Sequence, residues 1–365
     1  MINVQFFPSK RIAFYMARLF LVRTLAVLAA LVLILMTLDL LGESGKILAP
    51  PQNGDAELWR YVSLRIPMLI ARFLPFSVLL GTLITLASLN QHSEVISMKA
   101  AGISAHQIIA PLIVASFALA AISFAFNERV VTRAAGALSA WEAVDYGQVP
   151  PQSGASSNVW VRRGEDLFHA RQVSGRGEGV VLGGLAIYMR SAGTLERILT
   201  AESGRRVNGT WELRNASLFD VDAVSTTQMP VYRLETHIDP SQFTLARVDP
   251  DEQDFRRLSG SIEDLRAAGR PIAALEANLW HKISGPLSSV LMPLLAAIAA
   301  FGLARSGQLF LRAVAGMGLG FAYFVADNFA IAMGNYGAYP PLLAAWGPFA
   351  LFLLIGETVL IRTEE

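Results

Sequence analysis

Six apolar runs constrain this chain more than any other feature: Leu19–Leu41, Pro67–Leu89, Gln107–Phe126, Ile283–Ala304, Ala313–Gly334 and Leu342–Ile361. Each is about the twenty residues that a helix needs to cross a bilayer. Lipid offers no partner to backbone N–H and C=O groups, so such runs must be helical. Composition agrees, with 53% hydrophobic and 16% charged residues in a chain of 365. The sequence therefore predicts an α-helical polytopic membrane protein with six transmembrane helices.

Charge sets the orientation. Lys10, Arg11 and Arg18 precede the first run and Arg23 lies near its start, where its side chain can snorkel to the interface. Under the positive-inside rule this places the N-terminus in the cytoplasm. Six spans then put both termini inside, with the Arg305–Arg312 loop cytoplasmic and residues 42–66, broken at Pro50-Pro51, outside. A first run this long without a small-residue cleavage site needs no cleavable signal.

Between the third and fourth runs the pattern changes to short alternating segments, which predict an all-β domain over about 149–248 on the outer side. Candidate strands are Val159–Arg163, Leu167–Val173, Leu185–Arg190, Leu195–Glu202, Arg205–Asn208, Thr210–Asn215, Leu218–Val221 and Val231–His237. Asn208-Gly209 reads as a hairpin turn, although with Thr210 it also matches a glycosylation sequon. About eight short strands suggest a sandwich or jelly roll. Asn127 to about Tyr146 reads as a helix rising above the membrane, and Ser261–Gly269 as a short capped helix. The organisation is thus residues 1–126 with three spans, an outer region at 127–276, and residues 277–365 with three more.

The stretch between the second and third runs, Gln91–Ser104, reads as a small helix over 93–102 lying against the cytoplasmic face and placed to touch another protein. Ser93 can cap its start, Glu94 and Lys99 suit the two ends of its dipole, and Gly102 supplies a left-handed stop. Val95, Met98 and Ile103 offer apolar contacts, and Ser104 with Gln107 forms a capping box for the next helix. An ordinary tight loop is the competing reading.

Several chemistries are excluded. Zero cysteines rule out disulfides and thiolate chemistry, and a net charge of +1 leaves no basic face for nucleic acid. Gly42–Lys46 resembles part of a P-loop, but Leu40 replaces its first glycine and Ile47 its Ser or Thr. Five histidines without HExxH or GxSxG leave no metal or acyl-transfer site. Asp327, in the fifth run, is an ionisable group within a span, either functional or hydrogen-bonded to a neighbouring helix. Ser77, Gly81 and Thr85, and Gly316 with Gly320, form small-residue faces for helix packing. Arg65, Arg129, Arg133, His281 and Lys282 gather near outer ends of spans, where they could meet lipid phosphates or anchor the helices.

SEVISMKAAGIS, the NERVV of Asn127–Val131, the NLWHKISGPLS of Asn278–Ser288, and FVADNF followed by Gly337 and Pro340-Pro341 together resemble the LptF/LptG permeases of the lipopolysaccharide exporter. The likeness covers essentially the whole chain, and Trp280-x-Lys282 is closer to the LptG branch. The resemblance implies a non-catalytic subunit of an ABC transporter in the bacterial inner membrane, paired with an LptF-type permease and driven by two LptB-type ATPase subunits that use ATP and Mg. No cofactor would bind this chain. The second cytoplasmic loop would be the helix that docks on the ATPase, with Glu94 as acidic contact, Val95, Met98 and Lys99 around it and Gly102 ending it. Lipopolysaccharide would pass to periplasmic β-jellyroll domains, with an LptC-type protein associated. Two departures from the pattern stand out: Met36–Leu41 lacks basic residues, and Thr132 follows NERVV where a proline is expected. Lipid phosphate contacts would then fall to Arg65, Arg129, Arg133 or Lys282. The rival classes are a permease-like protein that transmits force to a periplasmic partner without moving substrate, and a secondary transporter.

Overall fold

The structure is a computed structural model that describes residues 9–147, 156–163, 165–174, 179–191, 193–207, 210–234, 248–267, 270–301 and 309–362. It divides into two units, Met1–Ser139 with Pro250–Glu365, and Ala140–Asp249.

The first half of the helical unit comprises α1 (Lys10–Ile47), α2 (Asp55–Gln91), α3 (Glu94–Ala100) and α4 (Ala105–Phe126). A π-helical segment, Asn127–Val131, joins α4 to α5 (Thr132–Glu142). After the β unit come α6 (Phe255–Ala267), α7 (Ala273–Phe301), α8 (Leu309–Asn335) and α9 (Pro341–Arg362). Among the described residues, five helices are long and apolar enough to cross a membrane: α1, α2, the continuous rod Ala105–Glu142, Val314–Asn335 of α8, and α9. The sixth predicted span corresponds to α7, of 29 residues. It packs against α2, α4, α8 and α9, and its Leu291, Met292, Leu294, Leu295, Ala296 and Ala297 form the centre of the unit. Neighbours on so many sides let α7 carry Pro286, Pro293 and several serines within a helix.

Small residues set the helix spacing. A Cβ at Gly81 would meet Thr24 Oγ1 and stand 2.8 Å from Thr24 Cα, so α1 and α2 touch backbone to backbone there. A Cβ at Gly320 would run into Leu79 Cδ2, which seats α8 on α2.

The helices outrun the apolar runs. Residues 42–66 are not an outer loop: α1 continues to Ile47 and α2 begins at Asp55, leaving only 48–54 as the connection. The start of α2 is fixed by the Glu57 carboxylate accepting the Gly54 N–H at 2.8 Å, with Asp55 and Glu57 favourable at the positive end of the dipole. Ser261 is likewise not a cap but an interior residue of α6 bonded to Gln253. Asp254 caps that helix instead, accepting the Arg257 N–H at 2.8 Å. Gly269 and the Arg305 loop lie outside the described residues.

The β unit holds one six-stranded antiparallel sheet in consecutive order: β1 (Ser156–Arg163), β2 (Asp166–Ser174), β3 (Val181–Ser191), β4 (Thr194–Val207), β5 (Thr210–Asp220) and β6 (Ser225–Leu234). Alternation puts Val159, Val161, Phe168, Ala170, Leu185, Ile187, Leu199 and Leu213 into one core. Each such side chain of Val size or larger contributes about 1.5–3 kcal/mol when buried. Eight expected strands become six because two apparent breaks are internal. Gly204 reads as a turn, yet a Cβ there would stand 2.8 Å from Leu213, so it is a close approach within the sheet. Asn215 takes φ 50° inside β5, where its amide binds Glu202. A jelly roll would set non-consecutive strands side by side; among the described residues neighbouring strands are consecutive. The Asn208-Gly209 turn lies outside the described residues.

Candidate functional site

The polar interruption between the second and third runs folds as expected, with two corrections. Gly102 takes φ 82° and donates its N–H to Lys99 O, while Ile103 donates to Met98 O, closing α3 in a left-handed stop. Ser104 Oγ accepts the Gln107 N–H at 3.2 Å and Gln107 Oε1 accepts the Ser104 N–H at 3.1 Å, the capping box that launches α4. Ser93, however, sits at φ 58° and makes no side-chain cap; its carbonyl accepts the Ser97 N–H and hydroxyl instead. Val95, expected to face outward, is buried at 4% exposure, whereas Ile96 is 65% exposed. The outward face of α3 therefore presents Ile96 and Lys99, with Met98 and Glu94 half-buried at its margin. Glu94 accepts the Tyr15 hydroxyl at 3.3 Å, linking α3 to α1.

At the opposite ends of the helices, Arg65 and Asp327 among the predicted substrate residues are held by neighbouring helices. Arg65 forks onto Asp39, Nε to Oδ2 at 2.9 Å and NH2 to Oδ1 at 3.1 Å, and Tyr61 donates to the same Oδ2 at 2.7 Å. The pair ties α2 to α1 with side chains only 29% and 24% exposed. Asp327 meets His281 Nε2 at 3.0 Å, and Asn278 donates to Asn335 at 2.9 Å, so two polar contacts join α7 to α8. Asp327 thus has the hydrogen bond to a neighbouring helix that its sequence position allowed. Lys282 is half-buried beside His281, while Arg129 and Arg133, one turn apart, are exposed.

Between these ends, Arg23 does more than reach the interface: it donates to Ile84 O at 3.0 Å and Ser88 Oγ at 2.8 Å, fastening α1 to α2. Glu128, in the π segment, accepts the Phe255 N–H at 2.6 Å and so pins the start of α6 beside the end of α4. Sequence reasoning misses Tyr15 and Ile96. Ile96 carried no signal, because alternation in a seven-residue helix does not say which side is covered. Among the described residues no group of three or more His, Asp or Glu could hold a metal ion.

The outer unit has its own electrostatics. On the β1–β3 face away from the core, His169 stacks on Trp160 with centroids 4.3 Å apart. Burial holds the His169 pKa below its ordinary value, and the Arg171 charge adds to the effect.

A sequence model of the lipopolysaccharide export system permease family LptF/LptG matches residues 14–362. The chain is 27% identical over 312 residues to the lipopolysaccharide export system permease protein LptG of Escherichia coli strain K12, covering 83% of this chain and 84% of that protein. It is 26% identical over 330 residues to the protein of the same name from Haemophilus influenzae, covering 86% and 88%.

Proposed function

The chain belongs to the LptF/LptG family of lipopolysaccharide export permeases, and from that premise we propose that it is the LptG-type permease subunit of an ATP-driven exporter. In this reading it lifts lipopolysaccharide out of the bacterial inner membrane and passes it to a periplasmic β-jellyroll bridge. The observation that carries the reading is the extent of the match, 14–362, which takes in the α3 segment, the β unit and every long helix.

Within it, α7 is the sixth span, both termini are cytoplasmic and the β unit is periplasmic. An LptF-type permease is the heterodimer partner, two LptB-type subunits bind and hydrolyse ATP with Mg, and an LptC-type protein receives the lipid. This chain supplies no catalytic group. Its α3 is the docking element: a two-turn helix fixed at both ends between α2 and α4, with Ile96 and Lys99 outward and Glu94 at the edge. ATPase closure would push on α3 and the helices joined to it would carry the displacement to the lipid cavity. Glu94→Ala should weaken ATPase binding and export; intact binding and export would remove α3 from the coupling path.

The test is affinity purification of the chain from its native membrane in mild detergent, with mass spectrometry of proteins and lipids. The expected result is an ABC ATPase, a second permease and lipopolysaccharide. Recovery of both proteins without lipopolysaccharide, together with no substrate crosslinks inside the helical cavity, would favour force transmission to a periplasmic partner. Recovery of the chain alone from membranes that contain the ATPase would overturn the exporter reading.

A further inference from the structure

The rod Ala105–Glu142 runs 38 residues, about 57 Å at 1.5 Å per residue, nearly twice the thickness of a bilayer's hydrocarbon core. It leaves the α register at Asn127–Val131, directly after Phe126, the last residue of the third apolar run. Such a π segment spreads one turn over an extra residue, and single turns of this kind recur at functional sites.

Thr132 shows what holds the segment in that register. Its backbone N–H donates to Asn127 O, five residues back, while its hydroxyl donates to Glu128 O, four residues back, at 3.0 Å. Glu128 O is the carbonyl that the Thr132 N–H takes in an α-helix. A hydroxyl bond to the i−4 carbonyl does not by itself unwind a helix: Ser77, Thr82 and Thr85 make it within α2, which stays α-helical. In the rod the hydroxyl replaces the N–H instead of joining it. Thr132 thus carries two donors for one carbonyl, and Glu128 O is bonded in either register. Water has little access to make up for a lost donor, since Thr132 is 4% exposed.

The same five residues hold a second helix. The Glu128 carboxylate accepts the Phe255 N–H at the start of α6, where the helix dipole favours it and Asp254 already caps. Farther along the rod, a Cβ at Gly136 would stand 3.9 Å from Glu252 Cβ, so α5 runs beside the short turn Pro250–Glu252. In the chain, α5 leads into the β unit and that turn leads out of it. Glu128 Oε1 is buried without a hydrogen-bond partner among the described residues. The π register therefore bears an unmet acceptor that a second register need not bear.

Returning the segment to the α register rotates α5 against α4 by about 100°, one residue's share of a 3.6-residue turn. That rotation takes Gly136 off Glu252, so the two connections to the β unit shift against each other. At its other end the rod starts from the Ser104–Gln107 capping box that follows α3, and a displacement of α3 enters it at the first turn.

We propose that Asn127–Val131 is a register switch, π in one state and α in the other, that turns α5 about its axis. Thr132 makes the states exchangeable, holding Glu128 O by its hydroxyl in the first and by its N–H in the second. The switch rests on these bonds; its drive, a push on α3 by an ATPase, rests on the exporter reading.

The chain has no cysteine, so introduced pairs report alone in a permease–ATPase complex whose other subunits are cysteine-free. Spin labels at Ala137→Cys or Ser139→Cys, each paired with Glu263→Cys on α6, give two distances by double electron–electron resonance. α6 is a fixed reference because its Leu258, Ile262 and Leu265 are buried. Positions 137 and 139 lie about 200° apart around α5, so rotation moves the labels in opposite senses and a shift of the whole helix moves them together. On a helix about 10–12 Å wide, a 100° turn carries a label through about 8 Å. Thr132→Val and Thr132→Ala lose the hydroxyl and keep the N–H, which leaves the α register as the one that bonds Glu128 O. Both should move the nucleotide-free complex to a second pair of distances, changed in opposite senses, while Thr132→Ser should match the parent. Unchanged distances in both variants, or changes in the same sense, overturn the proposal, and so does a serine variant that follows alanine. The parent trapped with ATP and vanadate should show the valine distances. If the valine variant shifts and the trapped parent does not, the switch stands and the drive from the exporter reading fails; if neither shifts, the switch itself fails.

Discussion

Arg65 is the residue on which sequence and structure pull in different directions, and a double-mutant cycle separates them. If the Asp39–Arg65 fork fastens α1 to α2, each truncation strands the other charge in a partly desolvated site. Exposed ion pairs couple by about 0–1 kcal/mol and charge-assisted hydrogen bonds contribute about 1.5–3 kcal/mol. With side chains 29% and 24% exposed and bidentate geometry, this pair falls between, with a coupling of about 1–2 kcal/mol. Asp39→Ala should cost more than Arg65→Ala, because it also removes the acceptor of the Tyr61 hydroxyl, which belongs to a side chain 1% exposed. The double variant should be little less stable than Asp39→Ala alone. Thermal unfolding of the purified complex, followed by tryptophan fluorescence, reads this as a fall of about 2–4 °C per kcal/mol. Lipopolysaccharide retention is measured on the same samples. Additive losses in the double variant, or an Arg65→Ala variant that loses lipid at an unchanged melting temperature, would refute the fastening role and return Arg65 to the phosphate contacts.

Gly81→Ala should destabilise the complex by about 1–3 kcal/mol, the usual cost of overpacking. Adding Thr24→Ala should not rescue it in the same melting assay, because the contacts at 2.8 and 2.9 Å are to Thr24 backbone atoms. Ile96→Asp should reduce co-purification of the ATPase at an unchanged melting temperature, whereas Val95→Ala should lower the melting temperature and spare the outward face; the reverse pattern would exchange their roles. For His169, the folded pKa lies below the ordinary value near 6.5, so between the two values the unfolded chain binds more protons. Its contribution is neutral above about pH 6.5 and becomes destabilising as pH falls through that value. His169→Gln should therefore flatten the acid-side decline in thermal stability of the β unit, monitored by proteolysis of the full chain, and an unchanged decline would refute the assignment.

The long helices were legible because twenty-residue apolar runs admit few alternatives, and the α3 segment because Gly102, Ser104 and Gln107 punctuate it. Helix ends were not. Hydropathy stops at the membrane, while α1 and α2 continue through residues such as Glu43, Asp55 and Glu57 whose local bonds favour helix. The β unit was read correctly as strands, but glycine and asparagine have two meanings there. Gly204 marks a close cross-strand approach and Asn215 a local irregularity, each inside a continuing strand rather than at a turn. Pair partners were least accessible: that Arg65 meets Asp39, and Asp327 meets His281, depends on crossing geometry that no spacing encodes. The same holds for Ser93, where the residue type suits a cap but the left-handed backbone turns its hydroxyl away from the role.

These pairings bear on how force entering at α3 would travel. α1 is fastened to α2 near one end by Arg23 and the adjoining Gly81–Thr24 contact, and near the other end by Asp39, Arg65 and Tyr61. α3 follows directly from α2 and reaches α1 through Tyr15 and Glu94. A push on α3 is therefore delivered to α1 and α2 as one body, not to a single helix. On the other side, His281–Asp327 and Asn278–Asn335 join α7 to α8, so that pair also moves together near its outer end. The two bodies meet where Leu79 sits on Gly320 and where α2 lies on α7. In the exporter reading, motion of one body against the other about the Leu79–Gly320 contact changes the separation of α2 and α8 beyond it.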